Sequence, residues 1–415
     1  MGKRILALFL ASAAVFSLLT GCGNRNQVVS HGKSKSEVTR ITFFGNKYEP
    51  ENVAVIEEIL TGFMKENPDI QVSYESMKGS SYQDTLIKRM AAGKGNDIFM
   101  ANHDTLLELE ENGQAADLSG LSAIPEYTEQ MLGQMRENGK IYWVPTTVSA
   151  FGLYCNLDLL KEHRQKVPEN LAEWEAVCDY FVGEGITPII ANNDISLKTL
   201  AIGRGFYSVY QENRESEVFE RLNRGQEKLS DYLTEGFLLV KEFIDKGYVD
   251  AKKALNTRKT SDDLAEFVKG KSPFMLTGVW ASGRVEEMEP GFSFQVVSLP
   301  VLKDGSMLVI NADTRLCVNA DSKNLDAALK FVEYFIQKEN IREFADQQSS
   351  FSPIKGGGPS STQETRSLIS VYESGRTVIG TDGHLKLPIW NITAEVTQML
   401  LSGESLQDAM DWMDR

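Results

Sequence analysis

The side chains of this chain that could hold a small molecule are hydrogen-bonding groups set beside short apolar runs. Asn46 and Lys47 follow Ile41-Thr42-Phe43-Phe44, Ser80, Ser81 and Tyr82 open a helical stretch, and Asn102, His103 and Asp104 follow Ile98-Phe99-Met100-Ala101. Amide, carboxylate, imidazole and ammonium groups supply donors and acceptors in fixed directions, and open α/β sheets bind ligands in the loops at the carboxyl ends of their strands. Asp104 serves equally well as the cap of a helix from Thr105 to Glu110. Signatures of catalysis and metal binding are missing. The histidines His31, His103, His163 and His384 have no metal-ligand spacing. Gly270-Lys271-Ser272 ends like a phosphate-binding loop, but Ala265 occupies the first glycine position and a helical pattern precedes it. There is no Gly-x-Ser-x-Gly elbow and no His-Glu-x-x-His.

The elements that must position these groups alternate. Val53, Ile56, Ile59, Leu60, Phe63 and Met64 make one face of a helix that stops at Asn67-Pro68, and Ile70 to Tyr74 alternates as a strand. A second helix runs from Ser81 to Met90, ahead of the buried strand Ile98 to Ala101. This order predicts parallel β-α-β units in an α/β sheet. Past Gly139, the runs Lys140 to Val148 and Phe151 to Asn156 read as two strands separated by a polar pivot of small residues. Leu157 to Lys269 is helix-rich, and strands return at Pro273 to Leu276, Gln295 to Leu299, Met307 to Ile310 and Leu316 to Val318. With 394 residues after position 21 there is material for more than one core, so two lobes are expected. Trp143 and Trp174 read as core. Cys155, Cys178 and Cys317 have no paired spacing and read as small buried hydrophobes.

The N-terminus carries different chemistry. Lys3-Arg4, the apolar run Ile5 to Leu18 and Leu19-Thr20-Gly21-Cys22 resemble a bacterial lipoprotein signal peptide over residues 1–21, with Cys22 lipidated and palmitate-bearing. The run is shorter than the ~20 apolar residues of a permanent membrane span. Residues 22–37 are polar and aperiodic, a tether of about 20 Å reach. From residue 22 onward 41 basic face 58 acidic side chains, which disfavours nucleic acid and anionic lipid surfaces as partners.

Several stretches then fall in one order: Asn67-Pro68-Asp69-Ile70-Gln71-Val72, Ala91 to Phe99, Gly139-Lys140-Ile141-Tyr142-Trp143-Val144-Pro145, Gly278-Val279-Trp280, Ser322-Lys323-Asn324, Ala327 to Phe331, and Trp390 through Ser405. Together they resemble the family 1, maltose-binding-like extracellular solute-binding proteins of ABC importers. The resemblance implies an α/β, two-lobed periplasmic-binding-protein-like (type II) fold with a central ligand cleft. Three chain crossings would fall near Thr146 to Phe151, Ile310 to Arg315 and Ser349 to Pro353. They would divide the body into lobe 1 (38–147 plus 314–348) and lobe 2 (148–313 plus 349–415).

It also implies a sugar ligand, with Trp280 and Trp390 stacking on pyranose faces. Asn46, Lys47, Tyr82, Asn102, His103 and Asp104 would bond hydroxyls from one side, and Thr147, Asn311, Asp313 and Arg315 from the crossings, where hydrogen bonding within the hinge competes with ligand contact. Asp382-Gly383-His384 reads as a cleft loop or a turn. No cofactor, metal or catalytic residue is implied. The expected partners are a carbohydrate, the permease subunits and, through the lipid, the outer face of a cell membrane of Gram-positive type, with the body monomeric. The rival readings are a glycan-degrading enzyme with paired carboxylates and a sensor that presents ligand on the same fold.

Overall fold

A computed structural model describes residues 38–357 and 366–415. The signal peptide, the tether and Cys22 lie outside the described residues. Twelve strands are described: β1 Thr39–Gly45, β2 Ile70–Ser76, β3 Ile98–Ala101, β4 Arg136–Glu137, β5 Lys140–Ile141, β6 Val144–Asn156, β7 Ile189–Ile190, β8 Phe274–Gly278, β9 Phe294–Val297, β10 Leu299–Leu302, β11 Gly305–Val318 and β12 Thr377–Ile379. All but the small β4-β5 hairpin join one sheet of order β2-β1-β3-β11-β6-β8-β7, with β10 and β12 added on β11 and β9 on β6.

The expected parallel pairing holds at the margins, in β1 with β2 and β3, β7 with β8, and β11 with β12. At the centre it does not: β6 and β11 run antiparallel, paired Thr147 to Asp313, Ser149 to Asn311 and Phe151 to Val309. Each is one long strand where the sequence suggests two. All of β6 is buried, so its small polar residues keep the extended backbone by laddering instead of turning out to water.

These two strands carry the chain between two cores. One core gathers Ile41, Phe43, Phe63, Phe99, Phe331 and Phe335 around β1-β3. The other gathers Trp174, Phe206, Leu233, Phe237, Phe243 and Leu276 under the helices Leu171–Gly183, Ile195–Gln211 and Ser230–Asp245. The chain returns to β6 at Phe351, the place of the expected third connection, where its backbone exchanges both hydrogen bonds with Val148 (2.8 and 3.0 Å). Thr314 (φ 47°) and Ser349 (φ 44°) lie in the left-handed region beside these connections, where non-glycine residues are uncommon and need support from their surroundings.

Trp143 and Trp174 are core residues, and Cys155, Cys178 and Cys317 are buried free thiols. None of the helices among the described residues is long and apolar enough to cross a membrane.

Candidate functional site

A cavity of about 160 Å³ opens between the loop after β1 and the segment that follows β8. Asn46, Lys47, Glu49 and Asn52 line one wall, Thr260, Trp280 and Arg284 the other, and Gln347 and Gln348 the end nearest the third connection. The loop after β1 is fixed from below, because the Tyr74 hydroxyl donates to the Lys47 carbonyl at 2.8 Å. Lys47 Nζ donates to Gln348 Oε1 at 2.6 Å, and Gln348 Nε2 donates to Asn52 Oδ1. Asn52 Nδ2 continues the chain to Glu49 Oε2 at 2.8 Å. Arg284 Nη1 lies 3.3 Å from both Glu49 Oε1 and the Thr260 carbonyl. Burial pushes the Lys47 pKa down, while the carboxylates of Asp313 and Glu49 pull it back up. Asn46 Oδ1 is buried in the wall with no hydrogen-bond partner among the described residues, an acceptor whose desolvation a ligand hydroxyl would relieve.

The two central strands pack behind Trp280 through Phe151. Strand alternation puts Thr147, Ser149 and Phe151 on one face with their partners Asp313, Asn311 and Val309. The Phe151 ring touches Trp280 edge-on (5.2 Å, 80°) and Trp390 at a tilt (5.5 Å, 43°). Trp280 is half-buried and borders the cavity. Trp390 is also half-buried, but Lys198 Nζ sits 4.0 Å from its ring centroid and donates to its carbonyl at 3.0 Å. Burial lowers the Lys198 pKa to about 8, against the pull of Asp194 beside it. The two tryptophans therefore differ: an ammonium covers one face of Trp390, whereas Trp280 meets Phe151 by an edge.

Other expected ligand residues are engaged in the protein itself. Tyr82 is wholly buried, with its hydroxyl between the carbonyls of Phe44 (2.9 Å) and Met100 (2.6 Å), so it is a core residue and not a cleft residue. The helix expected from Thr105 starts earlier and spans His103–Glu111. Its cap is Asn102, whose Oδ1 accepts from Thr105 N at 2.8 Å, so Asp104 falls in the first turn and is not the cap. Asp104 instead accepts the Asn391 N–H at 2.9 Å, at the start of the helix Ile389–Leu401, where a negative charge is favoured. His103 is buried between Asp104 (2.9 Å) and the Leu385 carbonyl (3.0 Å), and burial pushes its pKa down.

The crossings behave in the same way. Arg315 is buried, lies 4.0 Å over the Trp143 ring and donates to the carbonyls of Ala312 (3.1 Å) and Thr381 (2.7 Å). Burial takes its pKa down to about 10. Asn311 accepts the Thr381 N–H at 2.9 Å. Asp313 is half-buried and accepts the N–H of its neighbour Thr314 at 2.7 Å.

Asp382-Gly383-His384 is a clasp. Asp382 Oδ2 accepts from Gln134 Nε2 (2.9 Å) and the Tyr210 hydroxyl (2.7 Å), and Oδ1 accepts from the backbone and ring of His384 (both 2.9 Å). Burial alone would raise the Asp382 pKa, but the bonds from His384 and Tyr210 hold it below the usual carboxylate value. Gly383 N donates to Gln134 Oε1 at 2.8 Å, and a Cβ on Gly383 would lie 2.3 Å from the Gln134 carbonyl oxygen, so only glycine lets this loop approach the helix Glu129–Met135 so closely.

The structure thus brings Asn46, Lys47 and Trp280 to one cavity, with Asp313 near enough to act on Lys47 electrostatically. It adds Glu49, Asn52, Thr260, Arg284 and Gln348, which the sequence reading misses. Spacing carried a signal for one of them, since Arg284 is four residues after Trp280 at the start of a helix. Among the described residues no cluster of His, Cys, Asp or Glu could hold a metal ion.

Two cores on one sheet and a polar cavity bordered by a half-buried tryptophan are the frame of a ligand-binding protein. A profile of the family described as bacterial extracellular solute-binding protein matches residues 58–362, and the chain belongs to that family. It is 24% identical over 355 residues to the multiple sugar-binding protein of Streptococcus mutans, covering 84% of this chain and 82% of that one. It is 22% identical over 400 residues to the maltodextrin-binding protein MdxE of Bacillus subtilis, covering 90% and 87%. A sugar transporter of Bacillus licheniformis solved with stachyose superposes with a TM-score of 0.70 at 19% identity, over 91% of this chain and 98% of that one.

Proposed function

We propose that this chain captures a sugar or oligosaccharide between its lobes and delivers it to the permease of an ABC importer. The observation that carries the reading is the cavity itself. It places the open indole of Trp280 beside an ammonium, amides and an unpartnered amide oxygen, the mixture of flat apolar face and fixed polar groups that a pyranose needs. The relatives named for sugars and maltodextrins support it. In this reading Asn46, Lys47 and Trp280 touch the ligand directly, Thr147 and Asp313 form the floor, and Trp390 takes part at its uncovered face. The lobes are 38–147 plus 314–348 and 148–313 plus 349–415, and ligand bound across both favours the closed form by the contacts it makes only there. The protein acts as a monomer held by lipid on Cys22 to the outer face of the membrane, and it returns its ligand chemically unchanged.

The test is a thermal-shift screen of the full chain against mono- and oligosaccharides that include stachyose and maltodextrins. A ligand that binds only the native state raises the melting temperature. A shift with one sugar, recovered intact, supports the importer reading. A shift followed by cleavage makes the protein a hydrolase, and no shift across the panel overturns the sugar assignment.

A further inference from the structure

We propose that Glu49 and Arg284 form a latch across the mouth of the cleft that favours closure by protein contacts alone, and that Asn52 and Gln348 tie this latch to the third connection. The inference rests on the two-lobed hinge and is independent of which ligand the cleft takes.

Glu49 stands in the loop after β1, just ahead of the helix Pro50–Glu66, and Arg284 stands in the helix Ser282–Glu287 that follows Trp280. Their side chains line opposite walls of the cavity and meet at 3.3 Å, with side-chain exposures of 18% and 25%. A charged pair that spans two moving bodies contributes only when they are together, so it shifts the open-closed equilibrium toward closure. The separation exceeds the 2.7–2.9 Å of a tight charge-assisted bond, and the site is partly wet. The latch is therefore weak enough to release.

The link to the hinge is continuous. Asn52 Nδ2 holds the second oxygen of Glu49 at 2.8 Å, and Gln348 bonds Asn52 on one side and Lys47 (2.6 Å) on the other. Gln348 directly precedes Ser349, the residue with φ 44° beside the third connection. Rotation there would draw Gln348 away from Asn52 and loosen Glu49. The same chain ends on Lys47 in the cavity wall, so a ligand that engages Lys47 acts on the latch through Gln348. Because a competent state populated at a fraction f weakens apparent affinity by 1/f, the latch sets part of the affinity without touching the ligand.

The test uses the full chain without sugar. Spin labels at Lys78→Cys, in the loop after β2, and Met288→Cys, at the end of the helix Ser282–Glu287, both exposed, report the opening by their distance distribution. Cys155, Cys178 and Cys317 are buried and stay unlabelled. Arg284→Ala and Glu49→Gln should each move population to a longer distance, by about twofold to fivefold in the open-to-closed ratio for a partly exposed pair. The exchanged double variant Glu49→Arg with Arg284→Glu should restore the short distance. In the parent labelled chain, 1 M salt, where the screening length is about 3 Å, should imitate the single variants without any risk of misfolding. Distances that ignore the variants and the salt overturn the latch. A failure of the sugar screen leaves this result standing, and a successful screen does not supply it.

Discussion

The same two lobes are tied by polar contacts at two places, and the two ties are built to different ends. At the mouth, Glu49 and Arg284 meet at 3.3 Å with water at hand. At the clasp, Asp382 is 1% exposed and accepts four hydrogen bonds, from Gln134, Tyr210 and His384. A buried carboxylate with every lone pair engaged is costly to disturb, because it leaves behind the buried Gln134 amide and the half-buried Tyr210 hydroxyl and His384 ring. A partly exposed pair can trade its partner for water at little cost. The difference assigns the clasp to holding the chain segments in place and the mouth to moving.

The largest test of this contrast is Asp382→Ala. It strands the Gln134 amide, the Tyr210 hydroxyl and His384, and should cost about 3–5 kcal/mol in urea denaturation. Glu49→Gln should change the same measurement by less than about 1 kcal/mol. Equal losses at the two sites would erase the distinction. Next comes Trp280→Ala, which should leave the denaturation midpoint near that of the parent while weakening the sugar found by the screen about tenfold, equivalent to roughly 1.4 kcal/mol. Titration calorimetry reads the affinity. Unchanged binding would move the stacking role away from the open tryptophan.

The contrast also explains what the sequence disclosed. The β-α alternation, the two cores and the place of Trp280 beside the cavity were legible because they rest on local periodicity or on a motif at a strand end. Asn46 and Lys47 were legible for the same reason, since the end of β1 is both a chain position and a place in the fold. Tyr82 was misplaced because a helix start offers no local sign of which side turns inward, and its hydroxyl found two backbone carbonyls in the core. The continuity of β6 and β11 was hidden because small polar residues look like a break unless their cross-strand partners are known. Arg284 and Gln348 become neighbours of Glu49 and Asn52 only once segments more than 200 residues apart come together, and the clasp joins Gln134 to Asp382 across a similar distance.

The smallest expected effect separates two histidines that both bind at the seam between the lobes. The bond to Asp382 raises the His384 pKa above 6.5, whereas burial lowers that of His103 below it. A histidine whose folded pKa is raised adds stability that is fully present below pH 6.5 and is lost as pH climbs through the folded value. One whose folded pKa is lowered resists protonation and costs stability as pH falls below 6.5. The first effect acts above pH 6.5 and the second below it, and in the pH curve of the parent protein both are summed with every other titrating group. Subtracting the curve of His384→Asn isolates one: the parent should be the more stable below pH 6.5, by no more than about 1 kcal/mol given a side chain 38% exposed, and the gap should close toward pH 8. A gap that widens with rising pH would mean that Asp382 is held by Gln134 and Tyr210 without help from the imidazolium, and that the clasp is a neutral hydrogen-bond node instead of an ion pair.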